Sequence, residues 1–154
     1  MVFVSHRQAD KNIGLDIQLA LKGLGIDAYI DVLDPELKKP IDITRRIVEQ
    51  LRQCSHIIAV FTNNTAGSLW VPFELGAAYE ADKGIGTFVL GSPSIPEYLN
   101  TFPIMRTKTD LTQFANEYKQ RATSARGIYE SVSKSETRTA DDFINRLKSR
   151  LGQR

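Results

Sequence analysis

Cysteine is scarce in this sequence, because Cys54 is the only one among 154 residues. No internal disulfide can form, so we expect a reducing compartment, and we expect Cys54 itself to be a small buried apolar side chain. The chain has only two histidines, and no His/Cys spacing matches a metal site. We therefore predict that no metal is bound.

Net charge and long apolar runs are lacking too. A formal net charge of +2 is too small to indicate a sequence-independent nucleic-acid surface. No apolar run approaches the roughly 20 residues that cross a bilayer. Met1 is followed directly by Val2, Phe3 and Val4, without the basic stretch and the long apolar region of a signal peptide. These absences predict a cytoplasmic protein that contacts neither nucleic acid nor membrane.

Two common families of catalytic motif are also missing. The sequence contains no P-loop and no Gly-x-Ser-x-Gly nucleophile elbow. Gly84-Ile85-Gly86 is only a fragment of a glycine-rich dinucleotide motif, and we predict that it forms a turn.

The sequence does contain a regular alternation of strand and helix patterns. Val2–Ser5 and Ile57–Phe61 are apolar without polar alternation, which is typical of strands covered on both faces. Amphipathic helical stripes lie between and after them. Strands are predicted at 2–5, 26–31, 57–61, 87–90 and 102–105; helices are predicted around Ile13–Leu24 (stopped by Gly25), Ile43–Leu51, Phe73–Ala81 (closed by Gly84), Leu111–Tyr118 and Phe143–Leu151.

Strands that alternate with single helices require right-handed crossovers, and these build a parallel sheet. The predicted fold class is therefore α/β, a flavodoxin-like doubly wound sheet of about five parallel strands with helices on both faces. Ligands of such sheets bind outside the carboxyl ends of the strands, so the loops after Val4, Ile30 and Phe61 form the expected site. Residues 123–139, rich in Ser, Thr and charge, predict a loose connection to a final helix that packs on the domain or meets a partner.

One segment at this edge combines an aromatic ring with a carboxylate. Pro72 marks the first turn of the third helix, and Trp70 and Glu74, four residues apart, share one face of it. A carboxylate in a poorly solvated pocket can stabilise the cationic ribose that forms when nicotinamide leaves NAD+, and an indole can stack on the pyridinium. Nicotinamide leaves as a neutral molecule, so one carboxylate suffices where most glycosidases need two. The same spacing also fits an ordinary half-buried Trp beside a solvated Glu.

The chain contains four motif blocks in the following order: Val2-Phe3-Val4-Ser5-His6-Arg7, Ile30-Asp31-Val32, His56-Ile57-Ile58-Ala59-Val60-Phe61-Thr62 and Ser68-x-Trp70-x-x-x-Glu74. These blocks resemble the TIR (Toll/interleukin receptor) family, in which they occur in the same order. The glutamate of the last block is catalytic in the enzymatic TIR domains, so the resemblance implies this role for Glu74. It also implies that the nucleotide cleft is lined by substrate-binding residues, namely Trp70, Ser5, His6, Arg7, Asp31 and Ser68.

Structural roles stand beside some of these functional ones. A lone histidine after a strand, such as His6, is commonly a structural hydrogen-bonding group, and Arg7 could be a surface arginine. His56 is expected to be structural. The loop at 34–40 lacks the glycine usual in the family and carries Pro35 and Pro40, which predicts a different loop shape.

The resemblance implies a TIR domain over residues 1–122, followed by the flexible connection and C-terminal amphipathic helix at 123–154. The implied activity is that of an NAD+ glycohydrolase or ADP-ribosyl cyclase, with NAD+ as substrate and no cofactor. Stand-alone TIR proteins of the Thoeris antiphage type are similar, which implies self-association and a nucleotide signal for a separate effector protein. Two alternatives stay open. One is a non-catalytic TIR–TIR adaptor. The other is a nucleoside deoxyribosyltransferase-like enzyme, because the segment Phe73-Glu74-Leu75-Gly76-Ala77-Ala78 resembles the helix that carries the nucleophilic glutamate of that family.

Overall fold

The computed structural model describes residues 1–30, 40–65, 67–127 and 139–154, and a parallel sheet lies at the centre of this part. The strands lie in the order β2-β1-β3-β4-β5, and all neighbours are parallel. This is the flavodoxin-like order. The strands are β1 Val2–Ser5, β2 Ala28–Ile30, β3 His56–Phe61, β4 Gly84–Val89 and β5 Ile104–Met105.

Helices cover both faces of this sheet. The helices that the structure describes are α1 Lys11–Gly23, α2 Pro40–Gln53, α3 Trp70–Glu80, α4 Lys108–Gly127 and α5 Thr139–Arg150. One buried apolar cluster joins the sheet to α1, α4 and α5, and a second joins it to α2 and α3. The predicted doubly wound α/β fold is therefore confirmed. Within the described parts of the chain, no helix is long and apolar enough to cross a membrane.

The strand order creates a crevice between β1 and β3. The chain leaves β1 toward β2 on one side and returns to β3 on the other side of β1. Because the two following connections diverge to opposite faces, the carboxyl ends of β1 and β3 border an open space. The residues after Ser5 and after Phe61 therefore face each other across this edge.

The glycines at 84 and 86 lie inside β4, so the predictions that they form a turn and that Gly84 closes the third helix are wrong. A Cβ on Gly84 would lie 2.2 Å from Cδ2 of His56 on the neighbouring strand. The buried His56 ring also packs between aromatic rings, with centroids 4.6 Å from Tyr118 and 4.7 Å from Phe143. Glycine thus makes room for a ring stacked on the sheet. The turn after α3 uses Asp82, which has a φ of 55°.

The C-terminal helix α5 packs on the domain, which decides between the two roles predicted for it. Its Phe143 and Leu147 are fully buried against the sheet. Glu117 of α4, almost completely buried, pairs with two arginines of α5: Nε of Arg146 lies 3.1 Å from its Oε2, and Arg150 bonds its Oε1. A buried carboxylate held by two guanidinium groups fixes the docking of α5 on α4.

The connection before α5 differs from the sequence prediction at its start. Helix α4 continues to Gly127, so residues 123–127 are helical and not a loose connection. The segment contains alanine and arginine, which are good helix formers, among its Ser and Thr residues. The remaining predicted connection, 128–138, lies outside the described residues.

Candidate active site

A cavity of about 400 Å³ opens at the carboxyl ends of β1 and β3. One wall is the segment that follows β1, and a second is the start of α3 with the residues before it. The third wall is apolar and belongs to α2. The lining residues are Ser5, His6, Arg7 and Gln8 on the first wall, Gly67, Ser68, Leu69, Trp70 and Glu74 on the second, and Ile43 and Ile47 on the third.

Glu74 is buried, with only 5% of its surface exposed, and it lines this cavity. Its Oε2 accepts a hydrogen bond from the hydroxyl of Ser5, which is itself 1% exposed. A charge removed from water needs such donors, because an unpaired buried carboxylate costs several kcal/mol. The carboxylate is thus held by the end of β1 and does not point into bulk solvent.

The N-terminal turn of α3 exposes apolar side chains while it buries this acid. Phe73, one of the apolar residues from which this helix was predicted, is 41% exposed. Val71, Leu75 and Ala78 form the buried stripe, and Glu74 lies within it. The helix is apolar on almost every side, so the sequence could not indicate which face is buried.

Trp70 forms the mouth of the cavity. Its side chain is 40% exposed, and it lies one helical turn before Glu74. The ring of Phe73 meets the indole edge to face, with 5.9 Å between centroids and 89° between planes. This contact restricts the orientation of the indole, which suits an aromatic ring that stacks on a ligand.

The residues after β1 contribute the polar groups of the first wall. His6 is half-buried, with Nδ1 3.3 Å from the carbonyl oxygen of Val4 and its ring against Gly14 of α1. Arg7 is exposed, and its Nη1 donates a hydrogen bond to the backbone carbonyl of Asn64, which follows β3. The structural role foreseen for His6 therefore has a physical basis, while Arg7 brings a positive charge to the cavity.

The structure brings six of the seven predicted site residues to one cavity: Ser5, His6, Arg7, Ser68, Trp70 and Glu74. The seventh, Asp31, lies outside the described residues. Sequence reasoning missed the apolar wall, because Ile43 and Ile47 were assigned only to the helical stripe of α2. It also missed Asp10, whose buried carboxylate joins the loops after β1 and β3.

The arrangement can bind a ligand that is positive at one point and negative at another. A buried carboxylate and an indole suit a cationic ring or a sugar that becomes cationic, and a guanidinium suits a phosphate. Among the residues that the structure describes, no group of three or more His, Cys, Asp or Glu side chains could hold a metal ion.

Comparison with known protein families shows to which family the chain belongs. The TIR domain family matches residues 2–122, which is most of the chain. The chain belongs to the TIR domain family. The Ser68-x-Trp70-x-x-x-Glu74 block, one of the four on which the resemblance was based, thus spans the start of the α3 helix of a TIR domain.

A curated relative of this TIR domain comes from Bacillus cereus and bears the name "Probable 3' cyclic ADP-D-ribose synthase ThsB'". The two proteins are 25% identical over 79 residues, which is 49% of this chain and 41% of the relative. The chain therefore matches less than half the length of that protein.

Two solved structures are similar in fold. The 2-deoxyribosyltransferase of Bacillus psychrosaccharolyticus matches with a TM-score of 0.59 and 13% identity over 71% of this chain and 88% of that one. This likeness concerns the fold alone. The TIR domains of the activated Roq1 resistosome match 98% of this chain and 96% of theirs at 19% identity, with a TM-score of 0.47 that carries no further argument.

Proposed function

We propose that this TIR domain cleaves the nicotinamide–ribose bond of NAD+ and that Glu74 is its catalytic carboxylate. The observation that carries the proposal is the burial of Glu74, 5% exposed, in a cavity whose mouth is Trp70. An acid that only solubilised the helix would lie on its exposed side. Membership of the TIR family and the name of the Bacillus cereus relative support the same substrate class.

In the proposed reaction the bond between C1′ of ribose and the pyridinium nitrogen breaks. The bonding electrons go to that nitrogen, so nicotinamide leaves neutral and the ribose becomes cationic. The Glu74 carboxylate stabilises this cation and then takes the proton of the hydroxyl that adds to C1′. Trp70 stacks on the pyridinium, and Arg7 binds the diphosphate.

The nature of the attacking hydroxyl decides the product. Ile43 and Ile47 give the cavity an apolar wall, which limits the water that can reach C1′. A hydroxyl of the substrate itself then competes well, and the product is a cyclic nucleotide. The printed name of the Bacillus cereus relative, a cyclic ADP-D-ribose synthase, supports this proposal.

We further propose that the product is a signal for a separate effector protein in bacterial antiphage defence and that copies of the domain associate with each other. The exposed Leu69 and Phe73 beside the cavity mouth support a contact with a second copy. Nicotinamide release per protein molecule should then rise with protein concentration, in parallel with the mass measured by light scattering.

The deciding experiment compares wild-type protein with Glu74→Ala, Glu74→Gln and a control, Glu80→Gln. Glu80 is an exposed carboxylate on the same helix, outside the cavity lining. Nicotinamide release from NAD+ is followed at high protein concentration, and the products are separated chromatographically. We expect both Glu74 variants to lose at least about 100-fold in kcat, the scale of a lost catalytic acid–base group, and Glu80→Gln to match wild type.

The same samples separate the alternatives. Base release from deoxynucleosides without release from NAD+ would indicate a deoxyribosyltransferase-like enzyme. Self-association without any base release, at every concentration tested, would indicate an adaptor. Nicotinamide release that survives the loss of Glu74 would refute the proposed mechanism.

A further inference from the structure

Asp10 is a buried carboxylate that does not line the cavity. It is 2% exposed and stands at the end of the short 3-10 turn Gln8–Asp10, directly before α1. Its Oδ2 accepts a hydrogen bond of 2.8 Å from the hydroxyl of Thr62, and its Oδ1 accepts one of 2.7 Å from the amide of Asn64. Both partners lie just after β3. One acid therefore fastens the loop after β3 to the loop after β1.

The network continues from Asn64 to the cavity wall. The Thr62 hydroxyl accepts a hydrogen bond of 3.0 Å from the backbone N–H of Asn64, which restrains the backbone on the amino side of Asn64. The carbonyl of Asn64 in turn accepts the hydrogen bond from Nη1 of Arg7. A path of hydrogen bonds thus leads from the buried acid to the cation that lines the cavity.

A second branch leads toward α3. The backbone N–H of Thr62 donates to the hydroxyl of Thr65 over 2.9 Å, and the carbonyl of Thr65 accepts a hydrogen bond of 2.9 Å from the N–H of Ser68. Ser68 is two residues before Trp70, the first residue of α3. Hydrogen bonds therefore also link the residues after β3 to the segment directly before α3.

We propose that Asp10, Thr62 and Asn64 form a positioning latch that places Arg7 and the mouth of the cavity for nucleotide binding. The proposal rests on the proposed function for the identity of the ligand. It assigns these three residues no contact with the substrate: they act through the position of Arg7 on one side and of Trp70 on the other. A purely structural role would instead lower the stability of the domain and leave the ligand affinity of the folded protein unchanged.

Two latch residues can be substituted with little disturbance of the core. In Asp10→Asn, the amide offers one acceptor oxygen where two donors, the Thr62 hydroxyl and the Asn64 amide, need one each. Asn64→Ala removes one bond at an exposed position, where the fold tolerates a shorter side chain. Asp16→Asn, at an exposed position of α1, is the matched control.

The first readout is ligand binding by the folded variants. We expect Asp10→Asn and Asn64→Ala to raise the KM for NAD+ and the Kd for ADP-ribose by at least about fivefold, the scale of one displaced hydrogen bond, with kcat within about twofold. Arg7→Ala should have a similar effect. The double variant Arg7→Ala/Asn64→Ala should bind ADP-ribose no more weakly than Arg7→Ala alone, because both changes break the same path of hydrogen bonds. The latch would be overturned if the effects of Arg7→Ala and Asn64→Ala on the Kd multiplied in the double variant. It would also be overturned if the latch variants kept the wild-type affinity and showed only a lower melting temperature.

The second readout needs no turnover. Trp70 is the only tryptophan of the chain, so its fluorescence reports the cavity mouth alone. We expect a changed emission maximum and easier quenching by acrylamide in Asp10→Asn but not in Asp16→Asn. Identical spectra would overturn the latch. Wild-type protein that neither cleaves NAD+ nor binds ADP-ribose would refute the proposed function instead, and the fluorescence comparison would still decide the latch.

Discussion

The hydroxyl of Ser5 donates a hydrogen bond to the buried Glu74 carboxylate, so Ser5→Ala tests the pair directly. Both residues lie in the interior edge of the cavity, 1% and 5% exposed. The substitution removes one oxygen atom from the end of β1 and leaves the apolar packing of that strand intact. Its effect should therefore come from the lost hydrogen bond to Glu74.

The size of the effect follows from the charge on the acceptor. A hydrogen bond to a charged group contributes roughly 1.5 to 3 kcal/mol, whereas one between neutral groups contributes roughly 0.5 to 1.5 kcal/mol. Ser5→Ala should thus lower the free energy of unfolding by about 1.5 to 3 kcal/mol and the melting temperature by about 3 to 12 °C for a domain of this size. In a Glu74→Gln background the acceptor is a neutral amide, so the same change should cost only about 0.5 to 1.5 kcal/mol.

Denaturant unfolding of four proteins measures this difference: the wild type, Ser5→Ala, Glu74→Gln and the double variant Ser5→Ala/Glu74→Gln. Ser68→Ala is the control, because Ser68 is a half-buried serine of the same cavity, and its effect should be equal in the two backgrounds. Equal losses for Ser5→Ala in the wild-type and Glu74→Gln backgrounds would show that the hydroxyl does not act on a charged carboxylate. That result would refute the account of how Glu74 is kept buried.

Three further expectations concern other parts of the domain. Trp70→Ala should raise the KM for NAD+ about 2- to 30-fold, the range of a cation–π contact, while Trp70→Phe keeps part of the effect; unchanged kinetics would exclude stacking. Gly84→Ala should lower the free energy of unfolding by about 1 to 3 kcal/mol in denaturant unfolding, because the added Cβ would overlap the ring of His56. In Gly76→Ala the added Cβ would meet no atom of another part of the domain within 4 Å, so the free energy of unfolding should rise by about 0.4 to 1 kcal/mol. Equal stabilities of the two variants would contradict the packing argument. Burial raises the pKa of the Cys54 thiol against the lowering effects of the amino terminus and Lys83, so iodoacetamide at pH 8 should label it slowly in native and rapidly in unfolded protein; equal rates would place the thiol at the surface.

The sequence was sufficient for the architecture because the buried strands are short uninterrupted apolar runs. β1 was predicted with its observed bounds, and β3 begins one residue before its predicted start. Given a parallel sheet, the reversal of strand order places the loops after the first and third strands together. The meeting of Ser5 and Glu74, 69 positions apart in the chain, follows from that rule.

The sequence could not predict which of several similar side chains is buried or which loops meet in the folded chain. On α3 nearly every position is apolar, so periodicity could not tell that Glu74 is buried and Phe73 exposed. The role of Asp10 depends on two loops that become neighbours only in the folded chain. Gly84 resembles a helix stop in the sequence, and only the position of the His56 ring explains it.

The reversed polarity of α3 is itself an argument for function. Between positions 69 and 74 the chain buries a carboxylate and leaves Leu69 84% and Phe73 41% exposed, although the opposite choice would stabilise the fold. Local rules are broken in natural proteins chiefly where a site requires it, and the surrounding structure then compensates. Here the compensation is visible, because β1 ends in a buried hydroxyl that donates to the acid. A domain that needed α3 only for packing would have no use for the buried acid or for its hydroxyl donor, whereas the proposed stabilisation of a transient cation uses both.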